Sequence, residues 1–157
     1  RNCDWRSDVC SSDLDALHDL PTLFRHIKKP SQPFWPVKVG ITSDSGRRTC
    51  YGGPGSLGFE DFDANLFASW GVDFLHYENC DGAEVPARIK YTTMAKALNA
   101  TGSQIYFSVD NWGNENINQW GPGIVQSWTT AKPMAIYPSQ NNTWQSVRHN
   151  FFRNMQY

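Results

Sequence analysis

Short apolar runs alternate with longer amphipathic segments along the middle of this chain, and no other feature constrains its fold as strongly. The run 37–41 alternates between apolar and polar residues, and apolar runs at 72–77, 105–109 and 124–128 predict three more strands. Segments 59–70 and 88–99 carry apolar residues at helical spacing, and shorter helices are predicted at 117–120 and 144–152. Strands that alternate with helices predict an α/β fold with a parallel sheet.

The length of the chain limits which α/β fold it can form. Its 157 residues suit one ordinary domain but are few for a complete (β/α)8 barrel, which needs ~250 residues. The pattern alone leaves an open doubly wound sheet and part of a barrel as alternatives. Both folds carry their chemistry at the carboxyl ends of the strands, here 42–44, 78–80, 110–112 and the stretch after 128.

Composition excludes several classes of partner. With 14 basic and 15 acidic side chains and no basic stripe, no nucleic-acid partner is expected. No apolar run approaches the ~20 residues of a membrane span, so no membrane partner is expected either. No His/Cys cluster has metal-ligand spacing, and the glycines at 52–55 form no phosphate-binding fingerprint, so neither a metal nor a cofactor is expected. The seven Trp residues suit either sugar binding or a Trp-rich core.

The first fourteen residues, 1–14, have no clear period, and their last part resembles translated sequencing-adaptor DNA. We expect this segment to be non-native and leave it, with Cys3 and Cys10, out of the fold prediction. The sequence is therefore expected not to begin at a natural start. Two N-x-T sequons, at Asn99 and Asn141, are weak indicators of secretion.

Two carboxylates end neighbouring predicted strands. Glu78 and Asp110 would lie on strands ~4.8 Å apart, close to the ~5 Å that separates the two carboxyl groups of retaining glycosidases. The alternative is that each caps a nearby helix or is solvated. His76 lies two residues before Glu78 and faces the same side, so it either influences the charge of that carboxylate or is only hydrogen-bonded.

Two cysteines follow two successive predicted strands on the same side of the sheet. The fold would bring Cys50 and Cys80 together, so a disulfide across the mouth of the sheet is one interpretation. Two unpaired buried thiols are the other, and composition does not decide between them.

A long, ordered set of motifs carries a family resemblance. The segments GITSDSG at 40–46, TCYGGPGSLG at 49–58 and FASWGVDFLHYENC at 67–80 are followed by ALNATG at 97–102, IYFS at 105–108 and SW at 127–128. In this order they resemble the middle of the melibiases, the α-galactosidases of glycoside hydrolase family twenty-seven, especially fungal ones. The resemblance covers roughly 37–128 and extends more weakly to 21–29 and beyond 144.

The resemblance implies a fold and an activity. It implies a partial (β/α)8 TIM barrel, roughly strands three to six with their helices, with 21–157 as an internal fragment of the catalytic barrel. It implies retaining hydrolysis of terminal α-D-galactosyl residues from α-galactoside sugars by a secreted enzyme without a cofactor. The alternatives are a catalytically inactive galactose-binding or scaffold remnant and an α-N-acetylgalactosaminidase, the latter depending on the bulk of the loop at 114–119.

The resemblance also implies roles for individual residues. Glu78 occupies the position of the family's aspartate nucleophile, and Cys50 and Cys80 match its disulfide. The family's acid/base aspartate has no clear match within 130–136. The remaining substrate-binding positions depart from the family's pattern: they hold Thr42 for a tyrosine, His76 for a lysine, Asp110 for a cysteine, Asn111 beside it, and Thr129 for an arginine.

Overall fold

A parallel sheet flanked by helices forms the centre of the molecule. The computed structural model describes residues 3–4, 9–10, 38–82, 84–132 and 144–155. Within these residues the elements are β1 (Cys3–Asp4), β2 (Val9–Cys10), β3 (Gly40–Asp44), α1 (Glu60–Ser69), β4 (Phe74–Glu78), α2 (Ala87–Ala100), β5 (Tyr106–Asp110), α3 (Ile117–Trp120), β6 (Ser127–Trp128) and α4 (Trp144–Asn154), with 3-10 turns at Asn114–Asn116 and Gly121–Gly123.

The strands β3 to β6 lie in chain order in one four-stranded sheet, and all three pairings are parallel. This confirms the predicted α/β fold. The short strands β1 and β2 pair with each other as an antiparallel ladder, within the segment that we left out of the fold prediction. The rest of 1–14 lies outside the described residues.

Local sequence explains where α1 begins and ends and where α2 begins. Glu60, Asp61 and Asp63 lie in the first turn of α1, where negative charge complements the helix dipole. Gly71 follows that helix with a φ of 71°, a left-handed conformation that glycine adopts without strain. Pro86 precedes α2, where its missing N–H costs no helical hydrogen bond.

The core lies between the helices and one face of the sheet. Leu75 and Tyr77 of β4 are fully buried there, as is Val109 of β5. They pack with residues of α1 and α2 in a single apolar cluster, whose other members include Ala64, Phe67, Tyr91, Met94 and Phe107. Burial of these side chains supplies the main stabilisation of the fold, at about 1.5–3 kcal/mol for each large apolar side chain.

The opposite face of the sheet is polar towards the carboxyl ends of the strands and aromatic towards their amino ends. Phe74 and Tyr106 stack there with ring centroids 5.6 Å apart, yet remain 37% and 46% exposed. We refer to this surface as the inner face. Its side chains alternate with those of the core, as the two-residue period of a strand requires.

All four strands of the sheet differ in extent from the sequence prediction: β4 and β5 are shifted by one or two residues, and β3 and β6 begin three residues later than predicted. Strand β3, the first of the predicted strands, begins at Gly40. The backbone N–H of Val39 donates to the Asp73 carboxylate, at 2.9 Å, rather than to a neighbouring strand. The last strand spans only Ser127–Trp128, since the N–H groups of Ile124 and Val125 turn back to the Gly121 carbonyl. The predicted helix at 117–120 is confirmed. No helix in the described ranges has the length and apolar character needed to cross a membrane.

Candidate active site

The inner face carries a row of three carboxylates at the carboxyl edge of the sheet. Asp44, Glu78 and Asp110 are the last residues of β3, β4 and β5, and they are Cα partners across the two ladders. Paired positions in a parallel sheet point to the same face, and adjacent strands lie ~4.8 Å apart. The structure therefore brings Glu78 and Asp110 together at this edge, as their positions in the sequence predicted.

A second row lies one pleat below the carboxylates. Thr42, His76 and Ser108 are Cα partners, and Ser127 continues the row on β6. The hydroxyl of Ser127 donates to the hydroxyl of Ser108 at 2.8 Å. Thr42 is exposed and His76 is half-buried, so both offer surface to a molecule on the inner face.

Asp110 is held by two donors from neighbouring loops. Its Oδ1 accepts a hydrogen bond of 2.5 Å from the hydroxyl of Thr129, and one of 3.2 Å from the backbone N–H of Trp112. The backbone N–H of Trp112 also donates a hydrogen bond to the Thr129 hydroxyl oxygen, at 3.1 Å. Thr129 thus meets Asp110 at the edge where the sequence placed both, and together they fix the start of the loop after β5.

Asn111 has a different environment from its neighbour. Its side chain is fully buried, and its amide nitrogen donates to the Asn114 carbonyl at 2.7 Å. Its amide oxygen accepts from the N–H of Gly113 at 3.2 Å. In this structure Asn111 shapes the loop after β5 and has no exposed surface for a sugar, so its predicted contact with substrate stays a prediction.

The loop after β5 contains several strained residues. Trp112, Glu115 and Asn116 all have positive φ, at 58°, 55° and 48°. Such conformations cost roughly 1–3 kcal/mol each in residues other than glycine, and they cluster at functional sites. A contact made by Glu115 offsets part of this conformational cost. Both of its carboxylate oxygens lie 3.0 Å from the backbone nitrogen of Ala87, so they cap the start of α2. This loop includes 114–119, the stretch that the sequence associates with the sugar's 2-substituent.

Asp44 is the fully buried member of the carboxylate row. Its Oδ1 accepts from the N–H of Gly46 at 2.8 Å, and its Oδ2 accepts from the N–H of Cys80 at 3.0 Å. Burial raises the pKa of Asp44 to about 6, with a smaller contribution from the negative charge of Glu78. The two backbone donors and the nearby Lys90 ammonium oppose this shift by stabilising the carboxylate.

A disulfide joins Cys50 and Cys80, whose Cα atoms are 5.3 Å apart. It links the loop after β3, which holds Cys50, to the segment just after β4, which holds Cys80. The predicted disulfide is therefore confirmed, and the alternative of two free thiols is wrong. Among the described residues, one group has ligand-type atoms close enough to hold a metal ion: the two disulfide sulfurs and a carboxylate oxygen of Asp44 all lie within 4.8 Å of one another.

A buried lysine supports the same edge from the helix side. The ammonium of Lys90, on α2, is 2.6 Å from the Asn79 side-chain oxygen, which also accepts from the Ser45 hydroxyl at 3.1 Å. Lys90 is only 2% exposed, and burial lowers its pKa while the charges of Asp44 and Glu115 act in the opposite direction. Sequence reasoning missed Lys90 because it occupies an ordinary position on an amphipathic helix.

Comparison with known proteins identifies the family. The family described as Alpha galactosidase A matches residues 27–156. The chain belongs to this α-galactosidase family. It is 42% identical over 118 residues to Alpha-galactosidase 2 of Arabidopsis thaliana, covering 70% of this chain and 30% of that one. It is 44% identical over 107 residues to the Alpha-galactosidase of Lachancea cidri, covering 65% of this chain and 22% of that one.

Solved α-galactosidases share the fold of the described part. The Saccharomyces cerevisiae enzyme with raffinose matches with a TM-score of 0.63 and 33% identity, covering 76% of this chain and 27% of that one. Alpha-galactosidase I from Mortierella vinacea matches with a TM-score of 0.57 and 38% identity, covering 59% of this chain and 24% of that one. The predicted partial TIM barrel is confirmed, and the chain spans less than a third of these relatives.

Proposed function

We propose that this chain is part of a retaining α-galactosidase, a glycoside hydrolase that removes terminal α-D-galactosyl residues. We assign 21–157 to its catalytic barrel. The observation that carries the proposal is the position of Glu78, which ends β4 on the inner face, with Asp110 as its Cα partner on β5. Family membership supports the reaction class, and the carboxyl ends of barrel strands are where such folds place their chemistry.

In this mechanism Glu78 is the nucleophile. Its carboxylate attacks the anomeric carbon and forms a covalent glycosyl-enzyme, which water then hydrolyses with net retention. Departure of the leaving group needs a second carboxyl group, which acts first as acid and then as base. Thr42 and His76 lie one pleat below Glu78, and Asp110 beside it, so these three side chains are positioned to meet the hydroxyl groups of a galactosyl ring.

The proposed substrates are α-galactosides of the raffinose type. The structure of the Saccharomyces cerevisiae relative was solved with raffinose, and we propose the same class of sugar for this chain. The departures at Thr42, His76 and Thr129 remove a phenol, an ammonium and a guanidinium that the resemblance would place around the sugar. We therefore expect weak ground-state binding, which is best measured with substrate at high concentration.

The proposed localisation is extracellular. The Cys50–Cys80 disulfide supports it, because such bonds form and persist in oxidising compartments. Asn99 of the first sequon is exposed near the end of α2, as an acceptor of an N-linked glycan must be. Secretion of the protein from its native cells, with a mass that falls on glycosidase treatment, is the expected result. Retention of an unmodified protein inside the cell would contradict it.

The proposed activity is tested by hydrolysis of p-nitrophenyl α-galactoside at high protein concentration, paired with calorimetric titration of galactose. The matched variants are Glu78→Gln, which removes the nucleophile with little change in shape, and Glu84→Gln, an exposed acid in the following loop. Turnover that Glu78→Gln abolishes and Glu84→Gln preserves is the expected result. Turnover that survives Glu78→Gln would exclude Glu78 as the nucleophile.

A second candidate is an inactive galactose-binding remnant. It is favoured by the clustering of family departures at the sugar, at Thr42, His76, Asp110 and Thr129, while the scaffold motifs are kept. The same pair of measurements separates the two functions: binding of galactose without any turnover supports the remnant. Substituting p-nitrophenyl α-N-acetylgalactosaminide in the assay tests the third alternative, the α-N-acetylgalactosaminidase.

A further inference from the structure

We propose that Lys90 is a positioning residue for Glu78 and that it acts through the side chain of Asn79. The proposal rests on the proposed function, in which Glu78 is the nucleophile. Lys90 lies on α2 and is only 2% exposed, so its ammonium cannot itself meet a sugar on the inner face. Any effect of Lys90 on the reaction therefore has to pass through the groups that it contacts.

The side-chain oxygen of Asn79 is held by two donors from different parts of the fold. The Lys90 ammonium donates to it at 2.6 Å, and the Ser45 hydroxyl donates to it at 3.1 Å. A hydrogen bond from an ammonium is roughly twice as strong as one between neutral groups. Because Asn79 directly follows Glu78 in the chain, fixing its side chain restrains the backbone at the end of β4.

The main chain on both sides of Asn79 is held as well. The carbonyl of Glu78 accepts from the N–H of Ser45 at 3.0 Å, and the N–H of Cys80 donates to the Asp44 carboxylate at 3.0 Å. These bonds fix the path of the chain, and the Lys90 bond adds a restraint on the residue between them. The peptide that joins Glu78 to Asn79 is therefore restrained, and this peptide sets the direction in which the Glu78 side chain leaves the strand.

The surroundings of the Lys90 ammonium suit this one contact. A Cβ at Gly82 would lie 2.6 Å from its nitrogen, so the absence of a side chain at that position leaves room for the ammonium. Burial lowers the pKa of Lys90, whereas the negative charges of Asp44 and Glu115 act in the opposite direction. Burying a charge is costly unless it is paired and hydrogen-bonded, and these two carboxylates and the Asn79 oxygen offset that cost.

The helix that carries Lys90 is itself fixed in place. Both carboxylate oxygens of Glu115 lie 3.0 Å from the backbone nitrogen of Ala87, the first residue of α2. Tyr91 and Met94 of the same helix are fully buried in the apolar core cluster. Lys90 lies between these two attachments, so its ammonium reaches Asn79 from a defined position rather than from a mobile surface.

Loss of the contact should affect the chemical step more than binding. A nucleophile that is displaced by about 1 Å can cost ~100-fold in rate. Lys90 touches no sugar, so its removal leaves the ground-state contacts of the substrate in place. We expect Lys90→Met to lower kcat for p-nitrophenyl α-galactoside about tenfold or more and to change KM by less than about twofold.

The kinetic test uses the full chain, with rates expressed per folded molecule from far-UV circular dichroism. Two controls on the same helix match the change. Lys96→Met removes an exposed lysine, and Met94→Ala opens a cavity in the core and lowers stability without touching Asn79. Both controls should keep the wild-type kcat. An equal fall of kcat in Met94→Ala would show that Lys90 acts only through stability and would overturn the proposal.

A double-mutant cycle tests the route through Asn79. Asn79→Leu removes the acceptor of the Lys90 bond with little change in side-chain size. In the Asn79→Leu background, Lys90→Met should lower kcat no further, because the bond that it would break is already absent. A second tenfold loss in the double variant would mean that Lys90 acts through another group, and the proposal would be wrong.

A measurement without substrate separates this proposal from the proposed function. Nuclear magnetic resonance relaxation gives order parameters for the backbone N–H groups of Glu78 and Asn79, which report motion on the picosecond to nanosecond timescale. They should be high in the wild-type chain and in Lys96→Met, and lower in Lys90→Met. Unchanged values in Lys90→Met would overturn the positioning role. A wild-type chain without turnover would count against the proposed function alone, and the order parameters would still decide whether Lys90 restrains Glu78.

Discussion

The Asp44 carboxylate accepts a hydrogen bond of 3.0 Å from the backbone N–H of Cys80, although the two residues are 36 positions apart in sequence. This bond joins the end of β3 to the residue just beyond β4. Two backbone bonds run beside it, from Ser45 N–H to the Glu78 carbonyl at 3.0 Å and from Arg47 N–H to the Asp81 carbonyl at 3.2 Å. The segment that carries Glu78 is therefore fixed from the neighbouring strand by backbone as well as by the disulfide.

The buried carboxylate makes stability depend on pH. The pKa of Asp44 is about 6 in the folded chain, against an ordinary 3.8, so between these values the folded chain binds more protons than the unfolded chain. Its contribution to stability is thus complete below about pH 4 and is lost as the pH rises through about 6. We expect the free energy of unfolding to fall by up to about 3 kcal/mol from this group over that interval.

Urea unfolding at pH 4 to 7 measures the effect. Asp44→Asn cannot ionise, so the variant should lack this decline, while the exposed Asp61→Asn should keep it. Asp63 also has a raised pKa and contributes in the same direction, so the comparison rests on the difference between variants rather than on the total slope. Equal slopes in the wild-type chain and Asp44→Asn would contradict the prediction.

The close approach of the two loops depends on a glycine. A Cβ at Gly46 would overlap the carbonyl oxygens of Cys80 and Asp81, which belong to backbone and have little room to move. We expect Gly46→Ala to lower the free energy of unfolding by roughly 3 kcal/mol. Gly123→Ala is the matched control, since a Cβ there meets nothing within 4 Å, and it should change stability by less than about 0.5 kcal/mol. Similar losses in the two variants would refute the close contact.

Gly82 and Lys90 should be energetically coupled. A Cβ at Gly82 would lie 2.6 Å from the Lys90 ammonium nitrogen, which would have to leave its bond to Asn79. Loss of that charge-assisted bond is worth about 1.5–3 kcal/mol. A Lys90→Met background has neither the clash with the ammonium nor its bond to Asn79. In that background Gly82→Ala should therefore change the free energy of unfolding only slightly. A double-mutant cycle in urea should give a coupling of about 1 kcal/mol or more, and strict additivity would disprove the contact.

Sequence patterns located the framework of this site but not its buried polar support. Glu78 and Asp110 were predictable because parallel strands end at one edge, so consecutive strand-end residues become neighbours. Asp44 ends a strand in the same way, but it is buried because the loop 46–58 folds back over it. The hydrophobic periodicity of the sequence does not predict this loop conformation.

Strand limits show the same dependence on distant contacts. The sequence alternates at 37–41, but the β3 ladder starts only at Gly40. The N–H of Val39 donates to the Asp73 side chain and not to a strand. Lys90 is a further case, since its burial requires Asn79 as acceptor and a side-chain-free Gly82 beside it. Each of these features is set by contacts with another segment of the chain, which hydrophobic periodicity does not report.

The length of the side chain at position 78 is the last feature with a measurable consequence. The resemblance places an aspartate there, and the extra methylene of Glu78 displaces its carboxylate by about 1 Å from the anomeric carbon. A displacement of that size costs up to ~100-fold in rate. We therefore expect Glu78→Asp to raise kcat/KM for p-nitrophenyl α-galactoside by ten- to about 100-fold. Glu84→Asp makes the same change at an exposed acid nearby and should leave the rate as it is. A slower Glu78→Asp enzyme would mean that the strand end has adapted to the longer side chain, and the nucleophile would then be positioned differently from that of the family.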